Sequence, residues 1–183
     1  MADADRPPVL PTVADPAPLG LAAFALTTFV LSAANAGWIA KGGDVVVIGL
    51  AIAYGGLAQM CAGMWEFKRN NTFGAVSFTS YGAFWLSFAI LLWFNVANIP
   101  ADAIPSALGT YLLAWAIFTA YMTAAARNLS QPVLIVFILL TITFAVLAIG
   151  AYVSQPSVTV VGGYLGILTA IAAWYASAAV VIA

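Results

Sequence analysis

"QPVLIVFILLTITFAVLAIGAYV", residues 131 to 153, carries no charged side chain from end to end. An α-helix rising 1.5 Å per residue needs about 20 apolar residues to cross roughly 30 Å of hydrocarbon, and this stretch supplies them. Similar runs recur on either side of it, at about 17 to 38, 44 to 66, 72 to 95, 105 to 127 and 158 to 182. The breaks between them, "KGGD" (41 to 44), "KRNN" (68 to 71), "NIPADAIPS" (98 to 106), "RNLSQP" (127 to 132) and "SQPS" (154 to 157), hold the Gly, Pro, Asn and charge that end helices. The pattern predicts an all-α integral membrane protein of six transmembrane helices joined by short loops.

Composition agrees. With 64% of the 183 residues hydrophobic and 6% charged, the chain lacks the polar side chains to coat a soluble domain. Strands of alternating polarity are absent, which argues against a β-barrel. Residues 15 to 183 read as one six-helix transport domain. The polar, proline-rich residues 1 to 14 read as a retained, flexible cytoplasmic tail, since they lack a basic-then-apolar leader.

Charge sets the expected orientation. Arg6, Lys68, Arg69 and Arg127 fall on one side and Lys41 alone on the other, so the first side is expected in the cytoplasm with both termini. That makes a multi-pass protein of the cell (inner) membrane. A net charge of −1 without a basic run gives nucleic acid nothing to bind. Cys61 stands alone, so no internal disulfide is expected. The chain has no His and no cluster of metal ligands, and its spans have no central Lys or paired acid and base. No metal or cofactor is therefore expected, and intramembrane enzyme chemistry is disfavoured.

The first span opens on "DPAPLGLAAF" (15 to 24). Asp15 is a good N-cap, which places Pro16 at the first helical position. Pro18 still lies among the four residues whose N–H groups lack an intrahelical acceptor. The prolines cost no hydrogen bonds there and fix the depth of every later residue on the helix. Counting in from the cytoplasmic ends, Phe24, Tyr81 and Leu140 share a level about 7 to 9 residues deep, roughly 10 to 14 Å. Gln59 and Ala173 fall near it on helices running the other way. Helical spacing groups Phe24, Thr27, Thr28, Leu31 and Asn35 on the first helix and Gly55, Gln59, Gly63 and Glu66 on the second. Small residues at such spacing are ordinary packing. Gln59 and Asn35 differ, because a buried amide needs partners or water.

"DPAPLGLAAF" resembles the signature of the acetate uptake transporter family, which includes the succinate–acetate permeases. The likeness extends through "YGGLAQMCAGMWEFKRNNTFG" (54 to 74), "FTSYGAFWLS" (78 to 87), "YLLAWAIFTAYM" (111 to 122) and "FAVLAIG" (144 to 150). It implies six helices around a pore in each protomer, protomers assembled as hexamers, and passage of acetate, other small monocarboxylates and, in some members, succinate. It further implies that Phe24, Tyr81 and Leu140 form a narrow apolar constriction and that Ala173 is a small pore residue bearing on substrate size. Two departures stand out. Asp15 replaces the usual Asn, and the sequence ends at Ala183, flush with the sixth run, where family members continue into a polar tail.

With no ionisable residue in the middle of a span, a proton relay of side chains is hard to build. Glu66, beside Lys68 and Arg69, is expected in an interfacial ion pair. A small acid would be drawn to Lys68, Arg69 and the first amides of the third helix beneath Asn71. It would then pass by hydrogen bonding to Thr27, Thr28, Gln59 and the Tyr81 hydroxyl, with a hydrophobic gate at Phe24, Tyr81 and Leu140. A carboxylic acid has a pKa near roughly 4, and its small neutral fraction at pH 7 is the form a dry gate prefers. Channel and proton-coupled carrier both stay open. So do transport of ammonium or another small solute, and a scaffold without a pore.

Overall fold

The structure, a computed structural model, describes residues 13–183. Residues 1 to 12 of the expected tail lie outside the described residues. Among the described residues, six helices are long and apolar enough to span a bilayer. They are α1 (Ala17–Asn35), α2 (Gly43–Lys68), α3 (Thr72–Asn95), α4 (Ile104–Ala126), α5 (Gln131–Tyr152) and α6 (Pro156–Ile182). Every span falls where the apolar runs place it.

The ends follow local chemistry. Asp15 Oδ1 accepts from the Ala17 N–H at 3.0 Å and the Pro16 carbonyl accepts from Gly20 at 3.0 Å. Pro16 is thus the capping residue and the helix begins one position later than the sequence suggests, with the Asp15 carboxylate still satisfying an orphan donor. α1 stops at Asn35 rather than 38 because Gly37 turns left-handed, at φ 81°. The Trp38 N–H then reaches back to the Ala33 carbonyl at 2.9 Å and that of Gly37 to Ala34 at 3.0 Å, a Schellman closure.

Two helices depart from the α period. α2 passes through a π-helical segment at Ala53–Ala58, and α3 ends in another at Leu91–Asn95. Each shifts the faces beyond it relative to a regular helix, which a 3.6-residue pattern does not anticipate.

The helices form a ring. α1 packs on α6, α6 on α5 and α5 on α4, while α2 packs on both α1 and α3. Side chains close the gap between α3 and α4. The Tyr81 ring lies 5.5 Å from that of Phe118, and Ser87 Oγ and the Tyr111 hydroxyl are 2.7 Å apart. Phe24, Tyr81, Phe84, Trp85, Phe137, Leu140 and Phe144 are buried inside the ring. Ile117, Tyr175, Val181 and many other large apolar side chains face outward, an arrangement suited to lipid. Ser177 Oγ ties the end of α6 to the Pro18 carbonyl at 2.8 Å, and Asp15 pairs with Arg69 at the end of α2. Both contacts hold the start of α1 at its depth.

The α1–α6 seam depends on glycine. A Cβ at Gly163 would overlap the backbone nitrogen of Ala36 and lie 2.8 Å from the Ser32 carbonyl oxygen. Both obstacles are main chain and cannot swing aside. Gly163→Val is therefore expected to lower stability by about 1–3 kcal/mol or more, as overpacking does. A reduced melting temperature of the detergent-purified variant checks this; an unchanged one refutes the seam.

Candidate functional site

Two spaces inside the ring meet at one pair of side chains. An outer cavity of about 150 Å³ is lined by Thr28, Asn35, Phe84, Trp85 and Phe144, among others. An inner cavity of about 20 Å³ is lined by Leu21, Gln59, Ser77, Tyr81 and Phe137, among others. Phe24 and Leu140 line both, and so form the partition between them. The inner space is little more than one water needs, which is about 10–15 Å³ on this measure. A third, open recess of about 460 Å³ beside Ser154 and Gln155 shares Asn35, Leu108, Ala151 and Thr159 with the outer cavity. The three spaces follow one another from the α5–α6 loop to the level of Gln59, with Phe24 and Leu140 between the last two.

The polar side chains divide into two kinds. Thr27, Thr119, Thr143 and Thr169 donate to the carbonyl four residues back, at 2.7 to 2.9 Å, and so are satisfied within their own helices. Thr28 Oγ1 and Trp85 Nε1 at the outer cavity, and Gln59 Oε1 and Ser77 Oγ at the inner one, are buried without a partner among the described residues. A buried polar atom left unpaired is costly. These four groups flank the partition, two on either side of it.

The Phe24 and Tyr81 rings are 5.9 Å apart, and Phe24, Tyr81 and Leu140 all line the inner cavity. Thr28, Asn35 and Gln59 also line the cavities. Thr27 and Ala173 do not line these cavities. Thr27 fills the space beside Gly55, where a Cβ would meet its side chain at 2.6 Å, and Ala173 is fully buried in the packed core. Trp85, which lines the outer cavity, is a residue that the sequence alone did not single out. An indole N–H in mid-span, one turn beyond Tyr81, was the available signal.

The charged end differs from expectation. Glu66 is fully buried and makes no ion pair with Lys68 or Arg69; Arg69 pairs with Asp15 instead. Glu66 Oε2 accepts from Asn71 Nδ2 at 2.9 Å, while Asn71 Oδ1 caps α3 by accepting from the Gly74 N–H at 3.1 Å. The carboxylate lies so close to the first turn of α3 that a Cβ on Gly74 would come within 2.9 Å of Glu66 Oε1. An acidic group at a helix N-terminus is favoured by the macrodipole, and that position explains why burial replaces the surface pair. Asn71→Ala, which removes both bonds, should cost about 0.5–2 kcal/mol, read as a fall in melting temperature. An unaltered transition would exclude the capping role.

Residues 3–183 match the GPR1/FUN34/yaaH family. The chain is 44% identical over 169 residues to "Ammonia transport outward protein 2" of Saccharomyces cerevisiae, an alignment covering 88% of this chain and 59% of that protein. It thus spans about six tenths of the length of the yeast relatives it matches. It is 37% identical over 163 residues to "Succinate-acetate/proton symporter SatP" of Escherichia coli K12, covering 89% of this chain and 86% of the relative. Among solved structures, "Structure of the bacterial acetate channel SatP" superposes with a TM-score of 0.87 at 36% identity, covering 93% of each chain.

Proposed function

The chain belongs to the GPR1/FUN34/yaaH family, and on that premise we propose that it is a membrane channel or transporter for acetate and other small monocarboxylates. Succinate is the larger substrate to test. The observation that carries the reading is the partition: two cavities meeting at Phe24 and Leu140, each with unpartnered buried polar atoms beside the meeting point. A hydrated inorganic ion would lose its water at that apolar level without replacement, whereas a two-carbon acid keeps an apolar methyl against it. Likeness to relatives whose names refer to acetate and succinate supports the same substrate class.

In this proposal Phe24, Tyr81 and Leu140 are the constriction. Thr28, Asn35, Gln59, Ser77 and Trp85 bond the solute, and Lys68 with Arg69 collects anions at the cytoplasmic mouth. Thr27 and Ala173 then act by setting the spacing of α1, α2 and α6. The protein lies in the cell (inner) membrane with both termini cytoplasmic, supported by the uneven distribution of Lys and Arg. Assembly as a hexamer rests on the family resemblance alone.

A second reading, outward passage of ammonia or ammonium, takes its support from the name of the 44% identical yeast relative. The experiment is uptake of labelled acetate into proteoliposomes, with labelled methylammonium flux measured beside it. Acetate uptake above empty vesicles, with methylammonium at background, supports the first reading, and the reverse result replaces it with the second. Leu140→Ala and Phe24→Ala should each raise butyrate uptake relative to acetate severalfold by widening the partition; an unchanged ratio in both variants removes the gate.

A further inference from the structure

Tyr81 is the one polar member of the constriction, and its hydroxyl is engaged. Its oxygen lies 2.9 Å from Thr119 Oγ1 on α4, and Thr119 Oγ1 lies 2.7 Å from the Trp115 carbonyl oxygen. A carbonyl can only accept, and a threonine hydroxyl has a single proton. Both contacts are hydrogen bonds only if Thr119 donates to Trp115 and Tyr81 donates to Thr119. The Tyr81 proton is thereby directed into the α3–α4 contact. Thr119 is fully buried and Tyr81 nearly so, which removes competing water from this bond. The ring is also held, 5.5 Å from Phe118, 6.0 Å from Trp115 and 6.1 Å from Phe137.

The three side chains of the constriction, two of them hydrocarbon and the third a tyrosine with a committed proton, therefore offer no hydrogen-bond donor of their own. Donors stand on either side, at Thr28 and Trp85 outward and at the Gln59 amide and Ser77 inward. A carboxylate can be bonded in the flanking cavities but gains nothing at the level between them. The neutral acid brings its own proton and needs no donor there. Resting on the proposed acid transport, we infer that Thr119 is a positioning residue that holds the Tyr81 proton out of the path and so makes the constriction selective for the protonated acid.

The groups facing Tyr81 are Phe24 from α1, Gln59 from α2, Phe137 from α5 and Trp115, Phe118 and Thr119 from α4. Tyr121 on α4 is its titratable neighbour, and no Asp, Glu, Lys or Arg lines the inner cavity among the described residues. The carboxyl that titrates is the solute's own.

The test is acetate uptake into proteoliposomes at pH 5.5 and 7.5, corrected for flux into empty vesicles. The protonated fraction falls about tenfold per pH unit above the acid's pKa, so the wild-type rate should fall about a hundredfold across this range. Thr119→Val leaves the Tyr81 proton without its acceptor and should shrink that ratio roughly threefold or more, by admitting the anion. Thr119→Ser should restore the wild-type ratio. Tyr81→Phe, which also lacks a donor, should keep it whatever its absolute rate.

Equal ratios in wild type and Thr119→Val overturn the inference. If that variant fails to fold, the wild-type protein still decides. Fluoroacetate, close to acetate in size but almost wholly anionic at both pH values, should enter roughly tenfold or more slowly, whereas comparable entry or a pH-independent acetate rate overturns the selectivity. Those outcomes leave acetate transport standing. No acetate flux above empty vesicles at either pH would overturn both it and the inference.

Discussion

In hydrocarbon, every backbone N–H must find its acceptor inside the protein, and the helix is how this chain meets that requirement six times over. The consequence reaches the side chains. Because the main chain is already satisfied, a polar path can be built only from side-chain groups turned toward the centre of the ring. Thr27, Thr119, Thr143 and Thr169 each donate their one hydroxyl proton to a carbonyl of their own helix. Thr28, Gln59, Ser77 and Trp85 each keep a buried atom without such a partner beside one of the two cavities.

The same constraint keeps charge at the ends. Asp15 meets Arg69 where α1 begins and α2 stops, and Glu66 lies under the first turn of α3 through Asn71. These contacts act as anchors at fixed depth, joined by the Ser177 bond to the Pro18 carbonyl. With α1 anchored at its start and closed by Gly37, Phe24 has little freedom to slide relative to Leu140. A partition only two side chains wide depends on that registration.

The aromatic wall around the path contributes specificity of position. Tyr81 touches Phe24, Trp115, Phe118 and Phe137, while Phe84 meets Trp85, Tyr111 and Phe144. Rings packed in these tilted, stacked and edge-to-face pairs hold one another's orientation. The Thr119 hydroxyl supplies what ring packing cannot, a direction for a proton.

The sequence by itself determined that the chain spans a membrane with six helices, where each begins and ends to within a few residues, and which side chains share a depth. Apolar length, helix punctuation and a 1.5 Å rise decide those things without reference to neighbours. It also counted Phe24, Tyr81 and Leu140 to one depth, and in the fold the three line one cavity. What it did not determine is direction around each helix axis. Thr27 and Thr28 are adjacent in the chain but point roughly 100° apart, and only the approach of α2 decides that the first packs on Gly55 while the second lines the outer cavity. The π segment at Ala53–Ala58 resets the face of α2 just before Gln59, and no period in the sequence announces it. Glu66 read as a surface charge until α3 folded over it, and the Tyr81 proton had no direction until α4 brought Thr119 alongside. Depth is a property of one helix, whereas facing is a property of the ring.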